Sequence, residues 1–195
     1  MSPSEYSRGY NRIVARPILA LLLLLLGPQL PRAPYVPTPP DVVDRMLTLA
    51  GVTSNDVVYD LGSGDGRIVI AAAQKFGARG VGVEIDPVRV ADAQRNAAIA
   101  KVEHLVTFRV EDALMTDVSG ASVVTLYLLS SQNVALKPRL MAQLRPGARV
   151  VSHNFAMGDW QPDVVDTFVD AGKWPRTLYL WKIPGRATSL PSPAR

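Results

Sequence analysis

The chain contains no cysteine and only two histidines, His104 and His153. The absence of cysteine excludes disulfide bonds, thiolate zinc sites and thiol catalysis. The two isolated histidines form no HxH motif, so we expect no metal site. Although the net charge is +4, lysine and arginine form no concentrated stripe beyond the first 32 residues. A nucleic-acid partner is therefore not expected.

Residues 1–33 differ in composition from the remainder of the chain. Three arginines precede an apolar run from Pro17 to Leu30, and prolines are dense from Pro31 to Pro40. This layout is typical of a membrane anchor or a signal-like leader followed by a stiff linker. A helix of about 14 residues would reach only ~21 Å across a ~30 Å hydrocarbon core, so a conventional span is not favoured. Attachment to a membrane is still expected.

Residues 34–185 alternate short apolar runs with helical patterns, and the polar residues 186–195 are predicted to be disordered. The spacing predicts a first helix that Thr38 caps, and a later helix that Pro138 either kinks or starts. Apolar runs predict strands near 57–61, 79–86, 106–112, 122–129 and 148–155, and the close runs at 164–170 and 176–183 predict an antiparallel edge pair. The fold class is therefore α/β, with a doubly wound, mostly parallel, seven-stranded sheet of Rossmann-like type.

The first strand runs into DLGSGDG, which places Gly62, Gly64 and Gly66 in the first strand-to-helix turn. Glycines at this turn allow a ligand to approach the backbone, although a plain tight turn is the alternative. A dinucleotide fingerprint would need a further glycine where Arg67 stands. Asp60 would repel a pyrophosphate, but it could pair with an ammonium group. The loop therefore predicts a ligand that carries a cationic part.

Two acids after later strands extend this prediction. Glu84 ends the second strand, where a carboxylate can accept both hydroxyls of a ribose. Asp112 follows the third strand and could accept a hydrogen bond from an adenine amino group. The alternatives are a solvated acid for Glu84 and a turn residue for Asp112. A ligand with amino acid, ribose and adenine parts is S-adenosylmethionine.

At these motifs the sequence resembles the class I, seven-strand methyltransferases, whose first three cofactor motifs are similar to DLGSGDG, VGVEIDP and VED. The resemblance covers residues 35–183 and implies S-adenosylmethionine as the cofactor. The predicted cofactor residues of the motifs are Asp60, Gly62, Ser63, Gly64, Asp65, Gly66, Glu84 and Asp112.

A narrower resemblance rests on YVPTPPDVVDRML before the domain and LRPGARVVSHNFAMGDWQPD near its end. Both look like the small, often membrane-anchored protein-lysine methyltransferases of the ATP synthase c subunit and adenine nucleotide translocase type. The resemblance implies that Tyr35, Pro37 and Thr38 contact the cofactor, with a linker and helix cap as the alternative. It also implies a lysine in a protein as acceptor; a small-molecule or lipid methyltransferase and a non-catalytic, membrane-tethered nucleotide-binding module are the alternatives.

Methyl transfer from a sulfonium needs alignment and exclusion of water more than an obligatory catalytic residue. Tyr127 and Asn154 are the catalytic candidates, and His153 and Trp160 lie on the same expected ligand side. Leu128-Leu129-Ser130-Ser131 replaces an Asn/Asp-Pro-Pro-aromatic motif, which argues against methylation of adenine N6 or glutamine. Because the cofactor is made in the cytosol, we expect a membrane-associated domain that faces the cytoplasm, with export as the alternative.

Overall fold

The computed structural model describes residues 35–185. The predicted leader and linker, and the predicted disordered tail, lie outside the described residues. Among residues 35–185, no helix combines the length and the apolar composition that crossing a bilayer would require.

The described residues form helices and strands that alternate along most of the chain. The helices are α1 (Pro40–Leu49), α2 (Arg67–Phe76), α3 (Pro87–Ile99) and α4 (Ser130–Gln143). The strands are β1 (Val57–Leu61), β2 (Arg79–Glu84), β3 (Val106–Val110), β4 (Val123–Leu126), β5 (Arg149–His153), β6 (Val164–Val169) and β7 (Pro175–Lys182).

The strands form one seven-stranded sheet in the order β3-β2-β1-β4-β5-β7-β6. Strands β1 to β5 are parallel, and β7 runs antiparallel to both β5 and β6. The predicted fold class and the antiparallel edge pair are therefore confirmed. The strand order reverses between β1 and β4, and ligands of doubly wound sheets bind at the carboxyl ends of the strands beside this reversal.

Two sequence-based details differ from the structure. Pro39, not Thr38, occupies the N-cap of α1, and no side chain caps the helix. Pro40 at the first helical position has no N–H to satisfy, so a side-chain cap is less needed there. Thr38 is instead buried. Helix α4 begins at Ser130 and contains Pro138, so this proline does not mark the helix start.

A polar network lies at the amino ends of the strands, opposite the predicted site. The Ser122 hydroxyl donates to Asp56 Oδ1 at 2.7 Å and accepts from the Val57 N–H at 2.9 Å, and Arg149 lies 2.9 Å from the same Asp56 oxygen. Replacing Ser122 by alanine leaves these buried groups short of a partner, so we expect the free energy of unfolding to fall by about 1–2 kcal/mol. Urea titration measures the change. Ser54→Ala, at an exposed turn, is the control and should change stability little.

Candidate active site

A cleft of about 310 Å³ opens at the carboxyl ends of β1 to β4. Its volume is at the lower end of the range for small-molecule sites. Ten of the eleven predicted cofactor residues line it: Tyr35, Pro37, Thr38, Asp60, Gly62, Ser63, Gly64, Asp65, Glu84 and Asp112. The structure thus brings these residues together, while their individual contacts with a cofactor stay predictions.

The glycine loop is held by β2 and closely covered. The N–H groups of Gly62 and Ser63 both donate to the Val83 carbonyl, at 2.8 and 2.9 Å. Gly64 has a φ of +53°, and a Cβ added there would lie 2.5 Å from Cε2 of Tyr35. Glycine at position 64 therefore supplies both a left-handed backbone and room for the Tyr35 ring.

Gly66 is the one predicted cofactor residue that does not line the cleft. It precedes α2 with a φ of +81°, and a Cβ there would meet Phe108 Cε1 at 2.6 Å and Ala93 Cβ at 2.9 Å. Gly66 therefore allows close packing of the loop against α3 and β3. Contact between Gly66 and a cofactor stays a prediction.

The Glu84 carboxylate is fixed by the backbone. Oε2 accepts from the Gly64 N–H at 3.0 Å, and Oε1 accepts from the N–H groups of Ile85 and Asp86 at 2.8 and 3.0 Å. Three donors thus orient one carboxylate at the end of β2. An oriented acid at this place suits hydroxyl donors such as those of a ribose.

Asp60 is a buried acid at the end of β1. Thr125 on the neighbouring strand β4 donates to its Oδ1 at 2.8 Å, and within residues 35–185 no cationic side chain pairs with it. Burial, reinforced by the charges of Glu84 and Asp65, raises the pKa of Asp60 to about 7 in spite of the Thr125 hydrogen bond. Because the ionised form lacks a counter-charge, a ligand ammonium group would stabilise it.

Asp65 is already paired with Arg67. Nε and Nη2 of Arg67 donate to the two carboxylate oxygens at 2.9 and 2.6 Å, and Nη1 donates to the Thr38 carbonyl at 2.9 Å. Burial alone would raise the pKa of Asp65, but the hydrogen bond and charge of Arg67 lower it below its usual value. Arg67 therefore ties the segment before α1 to the glycine loop, and this tie holds Thr38 at the cleft.

Tyr35 covers the glycine loop at Gly64, close to Asp65 and Arg67. The guanidinium of Arg89 lies 3.8 Å from the centre of its ring, a distance typical of a cation–π contact. Asp112 lies on the rim and accepts from the Leu114 N–H at 2.9 Å, so it also stabilises a turn.

Of the two catalytic candidates, only Tyr127 lines the cleft. Its ring stacks on His153 with the ring centres 4.0 Å apart. Asn154 lies outside the cleft lining, and its side chain accepts from the Thr177 N–H at 3.0 Å. The ring centre of Trp160 lies 5.7 Å from that of Trp181. Asn154 and Trp160 thus make structural contacts. Neither residue lines the cleft, so no contact there supports a catalytic role for either.

The prediction from sequence missed eleven of the residues that line the cleft, among them Arg67, Arg89, Leu128 and Gln132. Leu128 fills the space over Gly62, where an added Cβ would lie 2.8 Å from its Cδ2. A usable signal existed for Leu128, because it follows the carboxyl end of β4 beside the switch point. Side chains that reach the cleft from helices, such as Arg89, left no such signal.

The residues of the cleft fit S-adenosylmethionine. Glycine at position 64 keeps the loop free of a side chain, Glu84 is fixed at the end of β2, and Asp60 is a buried acid that a cation would satisfy. Six carboxylates and two arginines line the cleft, so its surface is acidic. Within the described range, no three His, Asp or Glu side chains are grouped so as to hold a metal ion.

The chain matches the family model described as ANTKMT methyltransferase domain over residues 60–164. It is 45% identical over 154 residues to a protein-lysine N-methyltransferase of Saccharolobus islandicus, covering 78% of this chain and 95% of the relative. It is 35% identical to the Xenopus laevis lysine N-methyltransferase of the ATP synthase c subunit, over 67% of this chain and 57% of that one. The chain thus spans just over half the length of this animal relative.

A solved structure carries further information. An RNA methyltransferase from Salinibacter ruber, in complex with S-adenosylhomocysteine, is 54% identical to this chain with a TM-score of 0.72. The similarity covers 82% of this chain and all of that one. These similar proteins are thus all described as methyltransferases, while their described acceptors differ.

Proposed function

Because this chain belongs to the ANTKMT methyltransferase family, we propose that its methyl acceptor is the side-chain amine of a lysine in a protein. The chain is a class I methyltransferase that uses S-adenosylmethionine. When bound, that cofactor supplies a methyl group on a positively charged sulfur. Held by the residues of the cleft, it would supply this methyl group to the acceptor amine, which would give up one proton.

The acidity of the cleft is the observation that supports a lysine acceptor. Six carboxylates line it, and of its two arginines Arg67 is paired with Asp65 while Arg89 lies against the Tyr35 ring. An acidic cleft attracts a protonated lysine, whereas it repels the phosphate backbone of RNA. The acidic residues of the cleft would thus accommodate the ammonium group of a lysine before its proton is lost.

RNA is the second candidate acceptor, because the 54% identical Salinibacter ruber protein is described as an RNA methyltransferase. Incubating the purified chain and radiolabelled cofactor with cell extract, then separating protein, RNA and lipid, distinguishes the possibilities. We expect protease-sensitive label that mass spectrometry identifies as methyl-lysine. Label that ribonuclease removes would favour RNA, and label that organic solvent extracts would favour a lipid. A heat-inactivated sample of the chain controls for enzymes of the extract.

We also propose that the chain associates with a membrane through residues 17–30 and that residues 35–185 face the cytoplasm. The apolar run of the sequence supports the first part, and the cytosolic source of the cofactor supports the second. Carbonate extraction of cell membranes should leave the full-length chain in the pellet, and protease added outside sealed cells should not cut it. Cleavage from outside would contradict the proposed orientation.

A further inference from the structure

Three aromatic rings meet at the carboxyl ends of β4 and β5. The Tyr127 ring centre lies 4.0 Å from that of His153 and 6.2 Å from that of Phe155. Tyr127 also lines the cleft, so the cluster borders the predicted cofactor site. We call Tyr127, His153 and Phe155 the aromatic wall.

The turn that carries Phe155 is held by several hydrogen bonds. Asn154 has a left-handed φ of +61°, and its N–H donates to the Thr177 carbonyl at 2.7 Å. The Phe155 carbonyl accepts from Asn133 Nδ2 at 3.0 Å and from the Ser152 hydroxyl at 2.7 Å. A left-handed asparagine held by two hydrogen bonds with one residue, here Thr177, is a backbone feature that clusters at functional sites. Here the turn fixes the Phe155 ring beside Tyr127.

His153 contributes a ring but no hydrogen bond. It is fully buried, and within residues 35–185 neither ring nitrogen has a hydrogen-bond partner. Burial and, to a smaller extent, the charge of Arg176 lower the pKa of His153 to about 4, although Asp170 opposes the shift. The imidazole is therefore neutral at physiological pH, and it does not repel a cation at the Tyr127 face.

From this arrangement we infer that the aromatic wall receives the amine-bearing side chain of the acceptor. Tyr127 and Phe155 contact the side chain, and His153 is a positioning residue that fixes the Tyr127 ring. Ring faces accommodate both an alkyl stem and an alkylammonium group, which they attract through the cation–π interaction. The inference rests on the proposed function, since it assumes an amine acceptor.

A cofactor analogue with an arm tests the wall. The probe is S-adenosylhomocysteine with nitrogen in place of sulfur and a four-carbon alkylammonium arm on that nitrogen; its partner carries a neutral butyl arm. Calorimetry on the full-length chain gives the ratio of the two dissociation constants. We expect the ammonium arm to bind about tenfold more tightly in the wild type, from the size of a desolvated cation–π contact.

The variants separate the wall from the cofactor site, because each ratio compares two ligands that share the adenosyl part. Tyr127→Ala should lower the ratio clearly, leaving only the part that the carboxylates of the cleft contribute, whereas Tyr127→Phe keeps the ring and should retain the full preference. Phe155→Ala, at a partly exposed position, provides a second test should Tyr127→Ala unfold. An unchanged preference in both alanine variants would overturn the inference.

His153 needs a different pair of variants, because it acts through another residue. His153→Phe keeps a stacking ring and should retain the preference, since no ring nitrogen has a protein partner within residues 35–185. His153→Ala should lower it as Tyr127→Ala does, and thermal unfolding checks that both variants are folded. Loss of the preference in a folded His153→Phe would assign the role to a ring nitrogen and contradict positioning by stacking.

The outcomes distinguish this inference from the proposed function. If the labelling experiment gives methyl-lysine but Tyr127→Ala and Phe155→Ala keep an unaltered preference, the role of the aromatic wall is contradicted and the proposed function stands. If the labelling experiment gives methylated RNA and the wild type shows a ratio near one, the proposed function and the role of the aromatic wall are both contradicted.

Discussion

Replacing Gly64 by valine is expected to weaken binding of S-adenosylhomocysteine at least about a hundredfold, while the domain stays folded. Two costs combine. The φ of +53° is unfavourable for a branched side chain, and its Cβ would lie 2.5 Å from Cε2 of Tyr35. Relieving the contact displaces Tyr35 or the loop, which also carries the N–H that donates to Glu84. Together about 3 kcal/mol of lost binding corresponds to that factor.

Gly51 offers a matched control for the backbone cost. Its φ is +60°, and an added Cβ there meets nothing within 4 Å. Gly51→Val should therefore lower stability without a comparable change in affinity. Calorimetric titration with S-adenosylhomocysteine, after circular dichroism has confirmed folding, measures both variants. Equal affinities in the Gly64 variant and the wild type would remove the loop from the site.

Adding Tyr35→Ala to Gly64→Val separates the effect of the contact with the Tyr35 ring from that of the backbone conformation. If displacement of the ring causes most of the loss, the double variant should bind more tightly than Gly64→Val alone. If the backbone causes it, the two losses should add. The double-mutant cycle thus measures the contact between Tyr35 and position 64 directly.

The sequence predicts the parts of the molecule that depend on local pattern. Buried runs such as VVYDL identify the strands, and the short connection before β7 identifies the antiparallel pair, because no crossover helix fits there. The strand ends then fix where Asp60 and Glu84 lie. Acids at adjacent carboxyl ends of a parallel sheet must face one cleft.

Contacts between distant segments could not be predicted in this way. The motif predicts that Asp65 contacts the cofactor, but Arg67 occupies both of its oxygens and also reaches Thr38. The stacking of Tyr127 on His153 joins β4 and β5 through a register that the sequence does not specify. In the sequence, Asn154 is a polar residue at a strand end and therefore a catalytic candidate. Its left-handed backbone and its hydrogen bond with the Thr177 N–H, which give it a structural role, have no sequence signature.

Cofactor affinity is expected to depend on pH through Asp60. An ammonium group at this carboxylate favours the ionised form, so binding should release a proton wherever free Asp60 is protonated. Since the pKa of Asp60 is about 7, affinity should rise about tenfold per pH unit from pH 5 towards 7 and level off above. Calorimetry in buffers of different ionisation enthalpy counts the released proton.

Asp60→Asn should abolish this dependence and weaken binding at pH 8 by at least about a hundredfold, since one partner of a buried charge pair is lost. As the pH rises, the same substitution should increasingly favour the folded protein relative to the wild type, although it weakens cofactor binding. A carboxyl whose pKa is raised in the folded state stabilises the protein below pH 4, and this stability is lost as the pH rises towards 7. The asparagine variant does not titrate, so its stability relative to the wild type should grow by up to about 4 kcal/mol over that range. A stability difference between Asp60→Asn and the wild type that stays constant from pH 4 to pH 7 would contradict a buried Asp60 whose ionised form lacks a counter-charge.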